Sequence, residues 1–123
     1  MNWSDYPNFA KSEFDCKHTG LNEMKPEFMA KLQALRAEYG KPMTITSGYR
    51  HPTHPIEARK GRSDGEHTRG MCCDIACSTG VDRYDIVKLA LKYGFHRIGI
   101  AKNFIHLGLG GKGLPPNVMW EYQ

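Results

Sequence analysis

One aspartate and one histidine sit where their neighbours give them no polar company. Asp74 interrupts the apolar run Met71-Cys72-Cys73-Asp74-Ile75-Ala76-Cys77, and His106 interrupts Phe104-Ile105-His106-Leu107. A carboxylate in the middle of a buried strand is costly unless it is paired or bound to a metal. His67 opens His67-Thr68-Arg69-Gly70, which leads directly into the Asp74 run. Strand alternation puts Asp74 on one face with Cys72 and Ala76, and turns Met71, Cys73, Ile75 and Cys77 toward the core. The same rule puts Phe104, His106 and Gly108 opposite Ile105, Leu107 and Leu109. If the two runs are sheet neighbours, His67, Asp74 and His106 converge. Two imidazoles and a carboxylate are the donor set of a catalytic zinc site, with a fourth position left for water. Zinc in such a site polarises a carbonyl and brings the pKa of its water to about 7. The residue types alone favour the plainer alternative, a buried aspartate held by backbone N–H groups beside a hydrogen-bonded core histidine.

The elements that must carry these residues follow from periodicity. Pro26 suits a first helical turn and Gly40 the left-handed residue past a helix end, and Phe28, Leu32, Leu35 and Tyr39 form one stripe between them. This predicts a helix over about 26–39. Residues 43–47 alternate as a strand, and 51–66 form a long loop of a length that is usually functional. Residues 71–77 read as a buried strand. A second helix is expected over about 82–93, with Asp82 as its cap, Ile86, Leu89, Ala90 and Tyr93 inward, and Gly94 at its end. Strands are expected at 97–100 and 104–107, joined by a turn at Lys102-Asn103, with a last strand at 118–122. Residues 1–24 read as irregular, with a turn of helix near Ser12-Glu13-Phe14. The sum is an α+β domain with a small, mainly antiparallel sheet and two main helices.

Composition narrows the class. With 123 residues and 40% hydrophobic content, the chain is expected to form one domain over 1–123 with a single modest core. No apolar run approaches the ~20 residues of a membrane helix. The start, Met1-Asn2-Trp3-Ser4-Asp5-Tyr6, lacks the basic and apolar regions of a signal peptide, so synthesis in the cytoplasm is expected. The four cysteines, 16, 72, 73 and 77, fit neither a secreted disulfide framework nor a paired CxxC zinc motif. The net charge of +4 favours an anionic partner without naming one. Nucleic acid is disfavoured, because Arg59, Lys60, Arg62 and Arg69 lack the aromatic interleaving of single-strand binders and no recognition helix is visible. The basic stretch Arg59-Lys60-Gly61-Arg62 and the histidines of His51-Pro52-Thr53-His54 read as solvated loop and turn. Trp3 and Trp120 read as packing residues.

Three segments in order carry a resemblance: Ser47-Gly48-Tyr49-Arg50, His67-x-x-Gly70-x-x-x-Asp74, and Gly99 followed by Phe104-Ile105-His106. From about Phe14 to Tyr122 the chain resembles the M15 metallopeptidases, the zinc D-Ala-D-Ala carboxypeptidase-like enzymes, particularly the small phage and prophage forms. The resemblance implies a hedgehog/D-Ala-D-Ala-peptidase-like fold and one zinc per chain on His67, Asp74 and His106. It implies hydrolysis of peptide bonds in peptidoglycan stem peptides at the bacterial wall. A monomer is expected, with no nucleic acid or membrane as partner. Arg50 would hold a substrate carboxylate or carbonyl oxygen, and Ser47 and Tyr49 would shape the same substrate-binding wall. One position departs from the pattern. A zinc peptidase needs a general base, and relatives carry a carboxylate three residues before or two after the last zinc histidine. Here those positions hold Asn103 and Gly108. Glu66 is a candidate substitute, with Glu57 and Glu121 weaker ones, and without any of them a zinc hydroxide would act with little help as a slow enzyme. The alternative is a non-catalytic zinc-containing module that binds wall peptide, or serves in a virion, without cutting.

Overall fold

Arg36 and Gly40 show how the first helix stops: the Gly40 N–H donates to the Arg36 carbonyl at 3.1 Å with Gly40 left-handed at φ 73°. The computed structural model describes residues 1–61 and 63–123, so Arg62 of the basic loop lies outside the described residues. Helix α1 (Pro26–Tyr39) starts on Pro26 and buries Phe28, Met29, Leu32 and Leu35. It is followed by β1 (Ile45–Ser47), α2 (Pro55–Arg59), β2 (Cys72–Ala76), α3 (Gly80–Lys92), β3 (Arg97–Ile100), β4 (Phe104–Gly108) and β5 (Val118–Glu121). Among the described residues the strands form one sheet in the order β1-β2-β4-β3-β5. The β3–β5 pair is parallel and the other three pairs are antiparallel. The fold is the expected α+β arrangement.

One face of this sheet makes the core. Cys73 and Ile75 of β2, Ile98 of β3 and Ile105 and Leu107 of β4 join the inner stripes of α1 and α3. Phe28 meets Phe95 edge to face at 5.6 Å, closing the core beyond the end of α3. The N-terminal segment is part of it: Trp3 and Phe9 pack on the fully buried Phe14, each at 5.5 Å. Parity therefore holds in the register. Cys73 pairs with Leu107 and Ile75 with Ile105 toward the core, while Asp74 pairs with His106 on the other face. The four cysteines are free and buried. No helix among the described residues is long and apolar enough to cross a membrane.

Several boundaries differ from the sequence reading. The 51–66 stretch contains α2, because the His54 ring accepts the Ile56 N–H at 3.1 Å and Pro55 then supplies a preset first turn. Helix α3 begins two residues earlier than expected. Thr79 is its cap, accepting the Asp82 N–H at 3.2 Å, so Asp82 lies inside the first turn. Strand β1 is shorter than 43–47, although Thr44 still accepts the Ala76 N–H at 2.8 Å. Met71 stands outside β2, half-buried, and does not join the core.

Gly70 explains the glycine of the His67-x-x-Gly70 segment. The turn that ends there puts Gly70 at φ 69°, and its carbonyl accepts the Lys25 N–H at the start of α1 at 3.0 Å. A Cβ at 70 would lie 2.8 Å from the Glu23 carbonyl carbon and 2.9 Å from Met24 Cα, and would overlap the Glu23 carbonyl oxygen. Backbone cannot move aside cheaply, and a left-handed conformation is itself strained for other residues. Gly70→Ala is therefore expected to destabilise the fold by about 2–3 kcal/mol, read as a lowered urea midpoint at unchanged slope. A midpoint within error of the parent would show that the approach is not tight.

Candidate metal centre

The middle of the solvent-side face of the sheet carries the charged residues. Asp74 and His106 face each other across β2 and β4, with Asp74 Oδ1 3.0 Å from His106 Nδ1. His67 comes from the turn before β2, and its Nε2 lies 3.5 Å from Asp74 Oδ2. The two imidazole rings are 5.2 Å apart. All three side chains are buried. The convergence expected of His67, Asp74 and His106 is thus present in the fold.

Local backbone bonds bring the segments together. The Arg50 N–H donates to the His67 carbonyl at 3.2 Å, and the Thr68 hydroxyl donates to the Arg50 carbonyl at 2.8 Å. His67 Nδ1 lies 2.8 Å from the Gly48 carbonyl oxygen. A carbonyl only accepts, so Nδ1 carries the proton and Nε2 presents a lone pair to Asp74 whenever the ring is neutral. A lone pair facing a carboxylate oxygen is an unfavourable pairing that a cation between them resolves. His106 is placed in the same way: Nδ1 faces Asp74, and Nε2 lies 2.6 Å from Glu66 Oε1. In both rings the nitrogen away from Asp74 has an oxygen partner, which is the outer-shell arrangement of metal-bound histidines. The donor set fits a divalent zinc site with an open position.

Electrostatics couple these groups. Burial alone would raise the pKa of Asp74, but the His106 and His67 imidazoles beside it outweigh burial and hold the carboxyl well below the usual range. Burial opposes charge on His106 too, yet Asp74 and Glu66 on its two nitrogens push its pKa up. Glu66 is lowered despite its burial, by the bond and charge of His106, the Gly110 N–H and the charge of Arg97. Cys72 is a further potential donor, since ligand atoms of His67, Cys72 and His106 lie within 4.8 Å of one another. Its thiol is pushed far up by burial and by the charges of Glu66 and Asp74. The ionised carboxylate of Asp74 is therefore the better third donor, and Cys72 lies fully buried beside it.

Above these residues opens a cleft of about 340 Å³. His67, Asp74 and His106 share its lining with Arg50, Lys60, Glu66 and Arg97, and with Phe104, Trp120 and Tyr122. Arg50 Nε donates to Ser47 Oγ at 3.1 Å, Nη1 to Glu57 Oε2 at 3.1 Å and Nη2 to Asp74 Oδ2 at 3.5 Å. Ser47 thus supports Arg50 rather than lining the cleft itself. Tyr49 corrects the expectation of a substrate-binding wall residue. It is buried in the core, and its hydroxyl donates to Glu23 at 2.8 Å. Asn103 is exposed in the β3–β4 turn and Glu121 is exposed on β5. Glu57 lies behind Arg50, fully buried, also paired with Lys60 at 3.2 Å. Only Glu66, among the carboxylates considered for a base, lies in the cleft.

Four features were not visible in the sequence reading. Arg97 reaches back from β3 to Glu66 at 3.2 Å and sits 5.1 Å above the Trp120 ring. Trp120 lies 5.3 Å from the His106 ring, so it is a cleft wall and not only packing. It fits because Gly99 is opposite: a Cβ there would fall 2.7 Å from both Trp120 and Tyr122 ring atoms. Lys60, read as a solvated loop residue, pairs with the buried Glu57. Cys72, read only as a small neighbour of Asp74, stands among the potential donors. The signal for Trp120 was its alternation with Met119 and Glu121 on a short strand, which pattern alone cannot assign to a face.

A family model described as Peptidase M15 matches residues 7–108, a span that contains the turn, both central strands and every donor named above. Among curated proteins, no sequence matches the chain. With the ordered segments around Arg50, His67, Asp74 and His106 in place, the chain belongs to the M15 family of metallopeptidases.

Proposed function

We propose that the chain is a zinc-dependent peptidase that hydrolyses peptide bonds in peptidoglycan stem peptides, of phage or prophage type and used in lysis or wall penetration. The observation that carries the reading is the floor of the cleft, where His67 Nε2 and His106 Nδ1 both face the ionised Asp74 carboxylate. His67, Asp74 and His106 would hold one zinc. A bound zinc supplies Lewis acidity toward a carbonyl oxygen and an activated water. The resemblance to small phage enzymes supports the wall substrate; the chain would act as a monomer, with neither nucleic acid nor membrane as partner.

The chain's own residues supply orientation. A guanidinium has five N–H donors. Ser47, Glu57 and Asp74 engage three of those of Arg50, which leaves two for a carboxylate or carbonyl oxygen in the cleft. Glu57 keeps that fork in one position, because burial would raise its pKa but the bond from Arg50 and the charge of Lys60 keep it ionised. Lys60 and Arg97 add positive charge at the rim, which suits the carboxylates of a stem peptide. Phe104, Trp120 and Tyr122 form an apolar side that excludes water next to the reacting bond.

A second reading has its own observation. No carboxylate stands at positions 103 or 108, and the one that reaches the cleft, Glu66, is held by three donors. In that reading the chain holds zinc and wall peptide without cutting.

Metal analysis of the purified chain is expected to find about one zinc per molecule. Mass spectrometry of peptidoglycan after incubation is expected to show shortened stem peptides, with both metal and cutting lost in His67→Ala. Stem peptides that stay intact but are retained by the zinc-loaded protein would establish the second reading instead. Arg50→Lys keeps the charge and loses the fork, and should lower kcat/KM by about 10²-fold, the scale of one lost oriented donor. Glu57→Ala removes a fully buried partner of Arg50 and should cost about 3 kcal/mol of stability, the low end for a broken buried pair because Asp74 remains. Urea denaturation checks the second figure and steady-state kinetics the first.

A further inference from the structure

We propose that Glu66 is a positioning residue of the metal centre, receiving the Nε2–H of His106 and so presenting Nδ1 of that ring to the metal, from the space a side chain at position 108 would otherwise fill. The inference deepens the zinc reading and rests on it. An imidazole on a strand can offer either nitrogen to a metal, and the partner of the other nitrogen decides which. For His67 the partner is the Gly48 carbonyl. For His106 it is Glu66 Oε1, at 2.6 Å.

The remaining contacts of Glu66 argue against a role on water. Oε1 also accepts from Arg97 Nε at 3.2 Å, and Oε2 accepts the Gly110 N–H at 2.8 Å. The carboxylate is thus anchored by three donors from three segments, with its most direct contact on the His106 ring. The ring plane is set independently, by Trp120 at 5.3 Å and His67 at 5.2 Å. What those neighbours leave open is the choice of nitrogen, and Glu66 makes it.

Gly108 completes the argument. It lies two residues beyond His106 on β4 and points to the same face. A Cβ at 108 would stand 2.6 Å from Glu66 Oε1 and overlap the rest of the carboxylate. One carboxylate fits this volume, supplied from the turn at 66 or from the strand at 108, but not both. Glycine at 108 and glutamate at 66 are therefore a matched pair, and the pairing predicts that the function can be moved across the strand.

The test is a zinc-affinity series by chelator competition on the full chain, with wild type, Glu66→Gln, Glu66→Ala, and Glu66→Ala combined with Gly108→Asp or with Gly108→Leu, which has the branched shape of Asp and no acceptor. Loss of the carboxylate in Glu66→Ala is expected to weaken zinc binding by about tenfold to a hundredfold, with Glu66→Gln in between. Glu66→Ala/Gly108→Asp is expected to return to within about threefold of wild type, and the Leu double variant is not. Nitrogen-15 NMR of the zinc-loaded wild type should show His106 protonated at Nε2, a signature that space filling does not produce. Equal recovery by Asp and Leu at 108 overturns the proposal, because Glu66 would then only fill space. Affinities unchanged within about twofold in both single variants overturn it too, and leave the zinc reading standing. A wild-type chain that takes up no zinc overturns both. If Glu66→Ala does not fold, the isosteric Glu66→Gln and the Gly108 double variants still give the answer.

Discussion

An ionised carboxylate at the centre of the sheet is the constraint on which the rest of the molecule depends. Asp74 sits in a five-residue strand whose other face is core, and the medium there offers little solvation. An isolated charge in such a place would neutralise or unfold the strand. It persists because His106, His67 and Arg50 all reach it. These three come from a neighbouring strand, a turn and a loop, so the register of β2 against β4, the turn before β2 and the segment after β1 are all specified by one charge. A slip of β2 by one residue against β4 would turn Asp74 into the apolar face and away from His106.

The same constraint shapes the cleft. Side chains on the site face must leave room for a cluster of polar groups and for whatever binds above them. Ala76 and Cys72 flank Asp74, Gly108 lies beyond His106, and Gly99 lies opposite it on β3. The small residues are not interchangeable. The space over Gly99 is taken by Trp120 and Tyr122, and that over Gly108 by the Glu66 carboxylate. One glycine admits an apolar wall and the other admits a charge, and together they build the two sides of the cleft around a single histidine ring.

How much of this was legible in the sequence depends on distance along the chain. Helix α1, the two central strands and the faces of Cys73, Ile75, Ile105 and Leu107 follow from periodicity, because each is decided within a few residues. The meeting of Asp74 and His106 was legible because polar residues in apolar strands need a reason, and alternation put both on one face; His67 was legible only through the resemblance carried by His67-x-x-Gly70-x-x-x-Asp74. Tyr49 was misread because a residue beside Arg50 in a shared segment alternates away from it into the core. Arg97 was missed because its interest lies entirely in partners 31 residues away at Glu66 and across the sheet at Trp120. Glu57 was only a remote base candidate because α2 was not visible: His54 as a cap is decided by ring orientation, which no residue pattern encodes.

The charges around the cleft nearly cancel before any metal arrives, and this bears on what the site can hold. Three buried carboxylates, Asp74, Glu57 and Glu66, are matched by three cations, Arg50, Lys60 and Arg97. Were both histidines to bind a divalent ion as neutral ligands, the cluster would carry an excess of two positive charges. Little of that excess can be screened in a site this buried, because short-range pairs in low dielectric outlast the reach of salt. An anionic group entering beside Arg50 would offset it, and a neutral substrate would not. The carboxylate-bearing peptide proposed as substrate would therefore answer to the charge balance around Asp74 as much as to the two free donors on Arg50.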